Sequence, residues 1–197
     1  MSKFENRIPA YEKDLCFIDV ETTGSSIGFH EIIEIGVIRT SATADTFRFR
    51  WEKRIAPLYP ERITPIAKKI NDFCVEEWSD VRPSKMFWEE FVAKVSGGVP
   101  VCHNPSFDRA FISLAAAQCG VTDLGLDHHW IGTESLAWPL AKARSLKRFS
   151  LEGICEYLGL PPEPKPHSAL AGADACLRVY RRLMELHVSK LPEQLSA

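Results

Sequence analysis

The stretch Leu15–Gly24, LCFIDVETTG, limits the possible folds more than any other part of the chain. Leu15, Cys16, Phe17, Ile18 and Val20 are apolar at successive positions, the pattern of a strand buried on both faces. Asp19 and Glu21 lie two residues apart, and residues i and i+2 of a strand point to the same face. Two carboxylates are therefore expected side by side at the end of a buried strand. Like charges this close force one group to stay protonated unless a cation lies between them. A hard divalent metal, which prefers oxygen ligands, relieves the conflict. Spacing alone leaves an alternative, a solvated strand end bearing two unconnected acids.

At 197 residues the chain is expected to form one domain. Residues 1–13 read as a polar lead-in, 14–188 as the domain and 189–197 as a loose tail. A hydrophobic content of 45% and a charged content of 25% are those of a globular protein with a substantial core. No apolar run is long enough to cross a bilayer, and the N-terminus has no hydrophobic signal core, so a cytoplasmic location and no membrane partner are expected. The six cysteines are scattered without a C-x-x-C pair, which argues against zinc and for small core residues in a reducing compartment. A net charge of −2 excludes coating nucleic acid through bulk positive charge. It is compatible with a metal-dependent enzyme acting on a short stretch of polyanion.

Further strands are predicted over 31–40, 45–55, 99–102 and 129–131. The third alternates Phe47, Phe49 and Trp51 with Arg48, Arg50 and Glu52, as a half-buried strand near a sheet edge does. Brief helices are expected at 66–70 and 75–78. Longer ones are expected at 84–95, capped by Ser84, and at 107–119, capped by Ser106. Thr133 opens a helix to about 143, interrupted at Pro139. Ser150 caps 151–158, and a last helix spans about 168–187. Residues 161–166, PPEPKP, read as an extended linker. Early strands followed by helices and short strands predict an α/β fold with a mixed sheet covered on both sides.

Two more residues add chemistry. Asp108 falls in the first turn of the helix after the 99–102 strand, where the helix dipole favours a carboxylate. Strand, sharp turn and helix start would bring it to the sheet end where Asp19 and Glu21 finish. His167, between the proline segment and the last helix, is a partly exposed imidazole suited to proton transfer near neutrality. Taken singly, each also reads as an ordinary surface group.

Together these pieces resemble the DEDDh (DnaQ-like) 3′–5′ exonucleases, the group that includes the proofreading subunit of bacterial DNA polymerase III, ribonuclease T and oligoribonuclease. Asp19-Val20-Glu21-Thr22-Thr23-Gly24 is similar to the family's first motif, Ile32–Ile38 to the strand after it, His103–Asp108 to the second motif, and His167-Ser168-Ala169-Leu170 to the third. The resemblance covers roughly residues 14–186. It implies a ribonuclease H-like fold, here a mixed five-stranded sheet flanked by helices. It also implies removal of nucleotides from 3′ ends with two divalent ions, Mg²⁺ or Mn²⁺, and His167 as general base. Asp19, Glu21 and Asp108 would be metal ligands. Thr22, Thr23, Asn104 and Phe107 would meet the terminal nucleotide. The partner would be a single-stranded DNA or RNA 3′ end, with DNA, RNA and very short oligonucleotides left open, as is the oligomeric state.

One departure stands out. The family's last motif is His, four residues, then Asp; here that position is Gly172, and the nearest acid is Asp174. Two helical steps turn a side chain by roughly 200°. Asp174 is assigned as the fourth carboxylate, which requires the helix to start late or to bulge at Ala171-Gly172-Ala173. The stripe Ala173, Cys176, Val179, Tyr180, Leu183 favours the other option, an unbroken helix that turns Asp174 away. The missing acid also supports a competing function, a nucleic-acid-binding module of the same fold with weak or no cleavage. The basic run Lys142, Arg144, Lys147, Arg148 reads equally as a phosphate-backbone contact or a solvated helix end, and most of the five tryptophans sit at core spacing.

Overall fold

The computed structural model describes residues 8–78, 81–144 and 146–188. Most of the expected lead-in and all of the expected tail at 189–197 lie outside them.

Strands β1 (Leu15–Thr22), β2 (Ile32–Thr40) and β3 (Phe47–Arg54) form an antiparallel meander. Strand β4 (Val99–Cys102) then pairs parallel to β1, and β5 (Ile131–Gly132) parallel to β4. The sheet order is β3-β2-β1-β4-β5. Strand β1 is central, which explains its apolar run: Leu15, Cys16, Phe17, Ile18 and Val20 are all buried. Strand β3 is an edge, as its alternation predicted, but only its Trp51 is buried. Phe47 is left exposed under the guanidiniums of Arg50 and Arg181.

Among the described residues six α-helices follow the meander. Helix α1 (Pro65–Ile70) is capped by Thr64, whose hydroxyl accepts from the Ala67 N–H at 3.1 Å. The helix expected at 75–78 is a turn. It buries Trp78, whose indole N–H donates to the Ile33 carbonyl at 2.8 Å. Helix α2 (Lys85–Val95) is capped by Ser84 and buries Phe87, Trp88, Phe91 and Val95, at the expected spacing. Helix α3 (Pro105–Gln118) begins two residues earlier than predicted. Its cap is Asn104 rather than Ser106, because Pro105 suits the first helical position and the Asn104 side-chain oxygen accepts from the Ser106 N–H. Helix α4 (Thr133–Arg144) contains Pro139, α5 (Leu151–Leu158) ends at Gly159 in the left-handed region, and α6 (Ala169–Val188) closes the described chain.

The helices cover both faces of the sheet. On one face Cys16, Ile18 and Val20 pack with Trp88 and Phe91 of α2 and Ile112 of α3. On the other, Leu15, Phe17 and Ile38 pack with Ala173, Cys176, Leu177 and Tyr180 of α6. The α6 stripe read from the sequence is therefore buried. Gly36 permits the close seating of α6: a Cβ there would lie 2.4 Å from the Ala169 backbone. Since Gly36 pairs with Asp19 across the β1–β2 ladder, the first turn of α6 is pressed against the strand that carries the acids. Among the described residues no helix is long and apolar enough to cross a membrane.

Candidate active site

Asp19 and Glu21 point to the α6 face of β1, on the same side as Leu15 and Phe17. The β1–β2 register shifts between Glu21 and Thr22, a bulge of the kind that re-aims side chains at strand ends. Asp108 approaches from the first turn of α3 and is 4% exposed. Its carboxylate accepts from its own N–H and from the N–H of Val20. The last β1–β4 pair is Phe17 with Val101, so Val20 lies past the end of that ladder. Asp108 thus takes a β1 donor that no β4 residue reaches.

The electrostatics are those of uncompensated anions. Burial, then the charges of Asp108, Glu21, Glu163 and Glu34, raise Asp19 well above the usual carboxylate range. Burial and the same kind of neighbours push Glu21 up to about 8, with Glu163 the first of the charges. Burial raises Asp108 to about 7 against the pull of its two N–H donors. The charges bearing on Asp19 and Glu21 are all negative. Glu34, unassigned from the sequence, pairs with Glu21 across the ladder, is 4% exposed and rises to about 7, chiefly by burial.

His167 sits at the mouth of this group. Its backbone N–H donates to the Ile70 carbonyl at 3.1 Å, tying the linker to the end of α1. Its Nδ1 is 3.5 Å from Oε2 of Glu163, and burial, followed by the charge of Lys165, lowers its pKa. Potential ligand atoms of Glu21, Glu163 and His167 all lie within 4.8 Å of one another. Glu163 was missed from the sequence, where its proline-flanked segment reads only as linker. The available signal was its place as the acid nearest in sequence to His167. A second such group, Asp127, His128 and His129, lies at the surface, and its carboxylate is already paired with Lys13 at 2.5 Å.

Asp174 does not join the cluster. Helix α6 is continuous from Ala169, and the Gly172 N–H donates to the Ser168 carbonyl at 2.9 Å in a regular first turn. There is no bulge, so Asp174 is rotated outward. It pairs with Arg50 and Arg178, each at 3.0 Å. The position that faces the acids is Gly172, where an added Cβ would lie 2.3 Å from Oδ2 of Asp19.

The residues expected to meet a nucleotide are distributed unevenly. Thr22 is buried and its hydroxyl donates to the Gly24 carbonyl at 2.8 Å. Thr23 is fully buried, and its hydroxyl accepts from the Glu31 N–H and lies 3.3 Å from Nδ1 of His30, so it serves the loop. Asn104 caps α3, and the Phe107 ring packs at a tilt against Phe111 with ring centroids 4.7 Å apart. Trp51, Trp78 and Trp88 are core residues, whereas Trp138 is exposed. In the basic run Arg148 is paired with Glu152 and Glu156; the side chain of Arg144 lies outside the described residues.

Residues 16–180 match the exonuclease family model. The chain belongs to the exonuclease family. The three motifs of the DnaQ-like resemblance, Asp19–Gly24, His103–Asp108 and His167–Leu170, all lie within the matched residues. Among curated relatives, the PolC-type DNA polymerase III of Thermotoga maritima is 29% identical over 170 residues, which cover 86% of this chain and 12% of that protein. The PolC-type enzyme of Caldanaerobacter subterraneus is 27% identical over 187 residues, 92% of this chain and 13% of that protein. The chain thus spans about one-eighth of the length of these relatives. Among solved structures, exonuclease I superposes with a TM-score of 0.76 at 15% identity, covering 88% of this chain and 41% of that one. E. coli exonuclease I in complex with a dT13 oligonucleotide gives 0.75 at 16%, covering 89% and 42%. At these identities the structural likeness establishes the ribonuclease H-like fold.

Proposed function

We propose that this exonuclease hydrolyses phosphodiester bonds from the 3′ end of single-stranded nucleic acid, with two Mg²⁺ or Mn²⁺ ions and His167 as general base. The observation that carries the reading is the convergence of Asp19, Glu21 and Asp108 with His167 where β1 ends and α3 and α6 begin. The donor set fits a hard divalent cation: buried carboxylate oxygens, only negative charges bearing on Asp19 and Glu21, and an orphaned carboxylate oxygen, Oε1 of Glu163. Bound cations supply the positive charge that stabilises the attacking and leaving oxygens of the phosphodiester.

The remaining steps belong to the chain. Nδ1 of His167 faces Glu163, so Nε2 is the atom that takes the proton from the attacking water. Its lowered pKa keeps the imidazole neutral, in base form, at neutral pH. Asn104 and Phe107, at the opening of α3, and the backbone of the Thr22–Gly24 turn border the place of the terminal nucleotide. The dT13 complex of the similarly folded exonuclease I supports single-stranded DNA as a substrate. We infer a cytoplasmic setting, whose reducing conditions would suit the six free thiols.

Gly172 favours a second reading, a binding module that keeps the fold and cleaves weakly. Incubating 3′-labelled single-stranded DNA and RNA with the protein, with Mg²⁺ or Mn²⁺ and with EDTA, separates the two. Metal-dependent release of labelled nucleotide supports the exonuclease; retention of the intact strand on the protein supports the module.

A further inference from the structure

Position 172 lacks the acid that its family motif carries, and Asp174 is engaged elsewhere. We propose that Glu163 supplies the fourth carboxylate of the metal site, reaching in from the linker in place of the missing helical acid. The proposal rests on the metal-dependent exonuclease reading and adds a ligand that the family motifs do not contain.

Three observations carry it. The first is position: Glu163 shares a 4.8 Å cluster with Glu21 and His167, and it heads the charges that bear on Glu21. The second is its hydrogen bonding. One side of the carboxylate is anchored, taking the Ser168 N–H and facing His167. The other oxygen, Oε1, is buried and has no partner. A buried carboxylate oxygen without a donor is rare in folded proteins and calls for an explanation. A cation shared with Glu21 provides one.

The third observation is how the linker is held. Arg178 donates to the Pro161 carbonyl at 2.6 Å while its Nε pairs with Asp174. His167 fixes the other end through Ile70. Glu163 is therefore presented from a segment braced on both sides. The donors at the start of α6 are also accounted for: Ser168 N–H meets Glu163, Ala169 N–H meets Glu34 and Leu170 N–H meets Glu52. Glu34 and Glu52 serve the helix end, and Glu163 is the member of that set with a buried oxygen left without a partner.

The test is Mn²⁺ binding measured by calorimetry on the full chain, without substrate. Glu163→Gln keeps an oxygen for the Ser168 N–H and changes little in shape, so the metal-free melting temperature should not fall. Its Mn²⁺ affinity should fall about 10-fold or more, the scale of losses when groups supporting a metal site are removed. Asp174→Asn should bind as the wild type does, and Glu163→Asp should fall between. An unchanged affinity in Glu163→Gln, with Asp108→Asn losing binding, overturns the proposal and leaves the exonuclease reading standing. A wild type that binds no Mn²⁺ overturns both. If Glu163 served only to orient His167, Glu163→Gln would keep its Mn²⁺ affinity and lose turnover, which also overturns the proposal.

Discussion

Gly172 of α6 lies directly against Asp19 of β1: a Cβ at position 172 would stand 2.3 Å from the Asp19 carboxylate oxygen. The space that a side chain would need on the inner face of the helix is taken by the carboxylate of the strand. The glycine is thus a condition of the present Asp19 position.

Gly172→Ala follows directly. In a helix interior alanine is favoured over glycine by about 1 kcal/mol, so the fold should tolerate the change. The new methyl group must displace Asp19, and a misplacement of about 1 Å can lower a rate about 100-fold. Thermal melting and turnover on a labelled oligonucleotide check this together. Full activity would mean that Asp19 moves freely or is not needed where it stands. For the same reason Gly172→Asp should not simply restore a ligand, since its carboxylate arrives where Asp19 already lies.

Asp174→Ala should leave the metal requirement unchanged. It removes two partly exposed ion pairs, to Arg50 and Arg178, each worth at most about 1 kcal/mol. Asp108→Ala, by contrast, should abolish turnover without unfolding the chain, because it removes a strained anion. Titrating Mg²⁺ against activity separates the two variants; an Asp174→Ala protein that needs far more metal would contradict the placement.

The buried acids fix a pH dependence of stability. Glu21 is raised to about 8, and Asp108 and Glu163 to about 7. Groups whose folded pKa exceeds the unfolded value hold more protons in the folded state, so the stability they contribute is present at low pH and is lost as pH rises through the folded value. Without metal, the melting temperature should fall between about pH 5 and pH 8. With saturating Mg²⁺ the decline should shrink or reverse, because a cation favours the deprotonated ligands. Melting curves across that range, with and without EDTA, check the sign. A metal-free protein that gains stability toward pH 8 would contradict the electrostatics.

His167→Ala should lower turnover by about 10²–10⁴-fold while substrate binding changes far less. Burial lowers the imidazole pKa, so its acid limb in the wild-type profile should lie below the ordinary histidine value. Turnover and binding measured separately would show a base; loss of binding with turnover preserved per complex would show that His167 only holds substrate.

Much of this was legible in the sequence because short-range chemistry decides it. The apolar run around Asp19 and Glu21 pointed to a buried strand, and the stripe from Ala173 to Leu183 pointed to a core-facing side of the last helix. That stripe favoured an outward Asp174, against its assignment as the fourth carboxylate, and the unbroken helix bears the stripe out. The bulge required to bring it back does not form, since the regular turn from Ser168 satisfies the Gly172 N–H and the two arginines hold Asp174 outside. Glu163 was not legible, because its role depends on a linker path set by Arg178, Pro161 and Ile70, contacts distant in sequence. The cap of α3 was misread by two residues, since Asn104-Pro105 competes with Ser106 on local geometry alone.

Metal-dependent removal of 3′ nucleotides by this cluster of acids would show most plainly on one single-stranded DNA labelled at its 5′ end. A ladder of fragments shortening stepwise from the 3′ end should form with Mg²⁺ or Mn²⁺, and none with EDTA or with Asp19→Ala or Asp108→Ala. A strand that stays full length with metal present, or that shortens equally with EDTA or in the two variants, would contradict it.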